Sequence, residues 1–142
     1  MTGFLGSYLH QLDEKGRIAL PAAFRRVTGE ESLVLVQNED PALILYPNAA
    51  WAQVEEKLGE LMHKSAEARE RVLKVVANAV EVVPDKQGRI LIPERLQDAA
   101  RLEGQALVVG VFDRIELWNP GLFEELTSEP KPELDQFLRQ IL

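Results

Sequence analysis

The chain has 142 residues, of which 46% are hydrophobic and 27% charged, with a formal net charge of −7 and no cysteine. That length suits one ordinary domain or two very small ones sharing a core, and the apolar fraction is too high for a disordered chain. The missing cysteines exclude disulfides and thiolate zinc sites, and no run approaches the roughly 20 apolar residues of a membrane span. Met1–Gly6 lacks the basic start and apolar stretch of a signal peptide, so a soluble cytoplasmic protein is expected.

Taken in chain order, the first element is the strand-like stretch Tyr8-Leu9-His10-Gln11-Leu12. Asp13 and Gly16 follow at the first and fourth positions of a type I turn, where Gly can take the left-handed conformation that closes a hairpin. Arg17-Ile18-Ala19-Leu20 alternates by face as a strand. Pro21 suits the first position of a short helix, which would carry Phe24 inward and stop at Gly29. Two β-rich runs come next, Ser32–Gln37 and Ala42–Tyr46. Asn48 is then a candidate cap for a helix with Trp51, Val54, Leu58, Leu61 and Met62 on one face. Ser65 is a cap for a second helix carrying Val72, Val75, Val76 and Ala79. Ala79–Val83 reads as a strand again, and Asp85, Gly88, Arg89–Ile92 and Pro93 repeat the first turn, strand and helix start. The β-rich runs Gln105–Val111 and Arg114–Trp118 follow. After Pro130 and Pro132 the chain ends on an amphipathic segment carrying Leu134, Phe137, Leu138, Ile141 and Leu142.

Residues 13–21, DEKGRIALP, thus recur as residues 85–93, DKQGRILIP, at an offset of 72. The same gapless offset pairs Phe24 with Leu96, Leu35-Val36 with Leu107-Val108, Leu45-Tyr46 with Leu117-Trp118, and Trp51 with Phe123. A register held over this span marks an internal duplication. One unit of about 45 residues is too small to bury a sizeable core alone. The expected fold class is therefore mainly β with helices (α+β), two units interlocked into one pseudo-symmetric barrel. The units are expected at 7–52 and 78–124, with a helical connection at 53–77 and a C-terminal helix at 125–142. The helices either pack on their own barrel or make contacts between protomers, since three apolar helix faces are many for so small a body.

Little points to catalysis. His10 and His63 lie on different elements, and there is neither an HExxH spacing nor a GxxxxGK[ST] or GxGxxG phosphate cradle. Adjacent acids such as Glu30-Glu31, Glu55-Glu56 and Glu124-Glu125 do not face each other on a helix and read as solvated surface. No metal or cofactor site is expected. In the repeated Asp-x-x-Gly-Arg, the turn accounts for Asp13, Gly16, Asp85 and Gly88, but nothing in it demands the arginine that follows. Arg17 and Arg89 either pair with Asp13 and Asp85, in the same or the opposite copy, or present a guanidinium fork to phosphate or a guanine edge. Residues 13–26 carry Lys15, Arg17, Arg25 and Arg26 against Asp13 and Glu14, a local net of +2, whereas residues 85–98 are neutral. The acidic total thus hides one mildly basic face. So small a patch binds DNA weakly unless several act together on an oligomer.

These residues carry a resemblance. Gly6-Ser7-Tyr8, Leu12–Pro21, Asp85–Pro93 and Glu116-Leu117-Trp118 resemble the MraZ family, and the likeness extends over the whole chain. Asp-x-x-Gly-Arg alone would indicate only the wider AbrB-like group. The resemblance implies a tandem pair of AbrB-like swapped-hairpin units and assembly into closed rings. It further implies binding of double-stranded DNA at short direct repeats upstream of the protein's own operon, the division and cell-wall gene cluster. It places Arg17, with Lys15 beside it, as the DNA-reading candidate. Arg89 holds the equivalent place, while Arg25 and Arg26 are candidates on local charge alone. Such a repressor or tuner would sit in the cytoplasm, associated with the nucleoid. The alternatives are a protein-binding module, antitoxin-like or adaptor, that uses the barrel surface, and a hydrolase on an unfamiliar β-barrel.

Overall fold

A computed structural model describes residues 3–142. The first copy of the duplicated unit holds β1 (Ser7–Gln11), β2 (Arg17–Ala19), α1 (Ala22–Thr28), β3 (Leu33–Gln37) and β4 (Ala42–Pro47). Two helices follow, α2 (Asn48–Met62) and α3 (Ala66–Asn78). The second copy repeats the order with β5 (Val80–Val82), β6 (Arg89–Leu91), α4 (Glu94–Ala99), β7 (Gln105–Val111) and β8 (Arg114–Trp118). The chain ends with α5 (Pro120–Ser128) and α6 (Pro132–Ile141).

The mixed α+β class is as expected, and the two copies interlock by exchange. A six-stranded antiparallel sheet has the order β1-β7-β8-β4-β3-β5, and β2 pairs with β6 in a separate two-stranded ribbon. The first strand of each copy therefore hydrogen-bonds to the third strand of the other, β1 to β7 and β5 to β3. The ribbon is symmetric about its centre, with Ile18 opposite Ile90, Arg17 opposite Leu91 and Ala19 opposite Arg89. It is continued at both ends by matching backbone bonds of 2.9 Å, Leu20 N–H to Gly88 O and Ile92 N–H to Gly16 O. Neither copy can complete its own ladder, which is the physical reason they form one body.

The gapless offset of 72 fails in one strand. Leu33 and Leu35 face the main core together with Ala106 and Val108, so the equivalence through β3 and β7 is shifted by one residue. The α4–β7 connection spans five residues where the α1–β3 connection spans four, and that extra residue moves every side chain of β7 to the other face. A tighter turn between β7 and β8 takes the shift back, so Leu43 and Leu45 again match Ile115 and Leu117. Two cap assignments also move by a residue. Pro21 and Pro93 occupy the cap positions of α1 and α4 and not their first turns, and α2 starts at Asn48 behind Pro47 with no side-chain cap. Ser65 does cap α3, its hydroxyl accepting the Ala68 amide at 3.0 Å.

The sheet is apolar on both faces. Its inner face joins Ile18, Leu20, Phe24, Ile90, Ile92 and Leu96 from the ribbon and the short helices in the main core. Phe24 meets Phe4 and Tyr8 edge-on at 5.3 and 5.4 Å between ring centroids. The outer face of β3 and β4 presents Val34, Val36, Ile44 and Tyr46, which are covered by Trp51 and Val54 of α2, Val75 of α3 and Ala79 just after it. Thus α2 and α3 pack on their own chain. Helix α6 does not: all ten of its residues are exposed.

Candidate nucleic-acid interface

The turn before the ribbon is built by its aspartate. Asp13 Oδ1 accepts the backbone N–H of Lys15 and of Arg17, both at 2.9 Å, and Oδ2 accepts Arg17 Nε at 2.7 Å. Gly16 closes the turn at φ +83°. The second copy repeats this: Asp85 Oδ1 accepts from Gln87 and Arg89 N–H at 2.9 Å, Oδ2 accepts Arg89 Nε at 2.9 Å, and Gly88 sits at φ +75°. The Arg17 backbone amide, helped by its guanidinium, holds the Asp13 carboxyl below its ordinary range, and Arg89 does the same to Asp85. Both carboxylates are therefore charged at neutral pH.

The salt-bridge reading of the two arginines is thus realised within each copy. It does not exhaust them. Each ion pair runs through Nε, and among the described residues the two terminal nitrogens of Arg17 carry no hydrogen bond. A guanidinium held by Nε is pre-oriented with its other donors turned outward, which lowers the entropy lost on meeting a phosphate or base edge. Ile18 and Ile90 point into the core with no exposure, so alternation sends Arg17, Ala19, Arg89 and Leu91 to the opposite, outward face. The ribbon accordingly carries both arginines on one side. The copies are not equal: Arg89 Nη1 also lies 3.8 Å from Asp13 Oδ2. Arg89 faces two carboxylates where Arg17 faces one, and its field is the more neutralised.

The remaining candidates fall around the ribbon in different ways. Lys15 is exposed at the tip of the first turn. Arg26 is exposed on α1. Arg25, also on α1, crosses to the other copy, its Nη1 donating to Gln87 O at 3.3 Å across the second turn. Gln97, the α4 residue equivalent to Arg25, lies over Gly16 in the same way, its Nε2 donating to Ile92 O at 2.8 Å. Local charge gives no sign of this use of Arg25, because the contact depends on the exchange of units. Nor does spacing reveal the role of His10, whose Nδ1 lies 2.6 Å from Ala19 O and ties β1 to the ribbon. Leu91, half-exposed between the two arginines, gave no signal in the sequence beyond being apolar.

Among the described residues no group of three or more His, Cys, Asp or Glu is placed to hold a metal, and no helix is long and apolar enough to cross a membrane. Three shallow depressions, two along α3 and one beside α5, contain none of the candidate residues.

A family model described as "MraZ protein, putative antitoxin-like" matches residues 4–73 and again 75–139. Among curated relatives, a protein of Moorella thermoacetica is 37% identical over 139 residues, 98% of this chain and 96% of its own length. One of Desulfitobacterium hafniense (strain DSM 10664 / DCB-2) is 42% identical over 126 residues, 89% of this chain and 87% of its own. One of Pediococcus pentosaceus is 36% identical over 139 residues, 98% and 96% of the two chains. Each of the three is named "Transcriptional regulator MraZ".

Proposed function

The chain belongs to the MraZ family, and from that premise we propose that it is a sequence-specific, double-stranded-DNA-binding transcriptional regulator. It acts in the cytoplasm, at the nucleoid, as a ring of identical subunits. Its targets are short direct repeats upstream of its own operon, the division and cell-wall gene cluster. It performs no catalysis and takes no cofactor.

The observation that carries this reading is the ribbon. Two antiparallel strands fit the major groove of B-DNA, and this pair sets Arg17 and Arg89 on one outward face with donors to spare. Arg17 is the principal reader, Lys15 and Arg26 add phosphate contacts, and Arg89 contributes less because Asp13 shares it. Arg25 supports the second turn, and any contact it makes with phosphate comes from that position. One ribbon on an acidic body holds DNA weakly. Several ribbons engaging several repeats raise the effective concentration and restore affinity.

The test titrates labelled DNA from upstream of the protein's own gene, and scrambled DNA, at two salt concentrations with wild type and Arg17→Ala. Preference for the upstream DNA that weakens with salt and disappears in a folded Arg17→Ala protein supports the regulator. Absence of any preference at either salt sinks it, and the antitoxin-like or adaptor reading then takes its place.

A further inference from the structure

The duplication is incomplete in one respect. In the first copy, α2 is followed by three residues and then α3, which turns back to lay Val75 on the outer face of β3. In the second copy, α5 is also followed by three residues and then α6, so α6 is the counterpart of α3. It does not turn back. Helix α5 has 9 residues where α2 has 15, about 9 Å less reach at 1.5 Å per residue.

Two unpartnered surfaces result. One is the apolar stripe of α6, with Leu134, Phe137, Leu138 and Ile141 at helical spacing and each more than half exposed. The other is the outer face of β7 and its neighbour β1, where β7 is the counterpart of β3, the strand on which α3 lies. There Leu9 stands opposite Leu107 and Ser7 opposite Val109, and Leu9 is 54% exposed. Leu5 is 52% exposed and extends this face, because it follows Phe4, whose side chain is buried on the inner side. A ten-residue helix is marginal in water without a surface to pack on. The chain therefore has a helix of the kind that covers such a face and a face without a helix, and it cannot join them within itself.

We propose that α6 of one protomer seats on the outer β1–β7 face of a second copy of this chain, in the manner of α3 on β3. This deepens the assembly part of the reading above and rests on it. Each protomer gives one helix and receives one, so the contact is head-to-tail and propagates around a ring until the rotation closes. The ribbon lies across the core from this face, which leaves Arg17 of every subunit free for DNA.

Full-length protein is compared by sedimentation velocity with two double variants, Phe137→Glu/Ile141→Glu on the helix and Leu5→Glu/Leu9→Glu on the face. All four positions are already exposed, so both variants should melt close to wild type. Wild type is expected as a multi-subunit species and each variant as a monomer. An equimolar mixture of the two is expected to give a dimer and nothing larger, because only one intact helix and one intact face remain to meet. If the variants keep the wild-type size, or their mixture stays monomeric, this contact is wrong while ring assembly by another surface stands. A wild type that is monomeric throughout, with α6 amides protected from exchange, means that the helix covers its own chain, and both readings of assembly fall.

Discussion

Arg25 of the first copy closes over Gly88 of the second: its side chain fills the space that a Cβ on Gly88 would need, while its Nη1 holds Gln87 O at 3.3 Å. Gln97 covers Gly16 in the equivalent place of the other copy. The turns that carry the DNA-reading candidates are thus braced by the opposite copy, and their glycines serve both backbone and contact.

Substituting these glycines should destabilise the protein by different amounts. At φ +75° and +83° an alanine costs about 1–2 kcal/mol in backbone strain alone. At Gly88 the added methyl meets only the flexible Arg25 side chain, whereas at Gly16 it also comes 3.1 Å from the backbone oxygen of Ile92. Gly16→Ala should therefore lower the urea midpoint more than Gly88→Ala. In an Arg25→Ala background the Gly88→Ala penalty should shrink. Equal midpoints for the two alanine variants, or additivity with Arg25→Ala, would show that the cross-copy contact does not matter.

Removing Arg17 should weaken binding to the preferred DNA roughly 5- to 150-fold, the equivalent of about 1–3 kcal/mol for a lost bidentate contact. Arg17→Lys should recover only part, since a lysine keeps the charge without the fork. Arg89→Ala should cost less than Arg17→Ala, because Arg89 faces both Asp85 and Asp13. Fluorescence anisotropy at fixed salt measures all three. A loss on Arg89→Ala that equals or exceeds the Arg17→Ala loss contradicts the asymmetry.

Acid should unfold the protein partly through Asp13 and Asp85. Each carboxyl titrates lower in the folded chain than its ordinary value of 3.8, principally through the backbone amide of Arg17 or Arg89. The unfolded chain then binds the proton more readily, so the stabilisation is complete above that ordinary value and is lost as pH falls through the lowered one. Asp13→Asn and Asp85→Asn should be less stable than wild type at neutral pH, and the gap should close below pH 3.8. Urea midpoints between neutral pH and strong acid would show it, and a gap that persists unchanged into strong acid would exclude these carboxylates as the cause.

Ile18 and Ile90 meet at the centre of the ribbon with no exposure. Truncating Ile90 to alanine should cost about 2–5 kcal/mol, and to valine about 0.5–1.5 kcal/mol. Because this pair joins the copies, the loss should appear as one cooperative transition displaced to lower denaturant. Separate melting of the two halves would mean that the exchange of strands does not bind them into a single unit.

Much of this was legible in the residues because it is local. The Asp-x-x-Gly turns depend on bonds between positions two to four apart, and alternation in Arg17–Leu20 sends Ile18 and Leu20 inward whatever lies beyond them. Ser65 caps its own helix three residues on. Salt bridges from the two arginines to Asp13 and Asp85, in the same or the opposite copy, were one of two readings, and the structure holds both same-copy pairs.

What the sequence determined by itself was the duplication, the turns and the alternation of faces within each element, because a period of two or 3.6 residues and a hydrogen bond to a near neighbour are written within a few positions. Tertiary structure alone decided who meets whom. A strand pattern names a face and never a partner, so the exchange of β1 and β5 was open, and with it the placing of Arg25 over Gly88. The one-residue slip through β7 follows from a loop that is one residue longer, which a gapless comparison cannot register. The free apolar stripe of α6 was visible as a stripe, but only the short reach of α5 left it without a surface in its own chain.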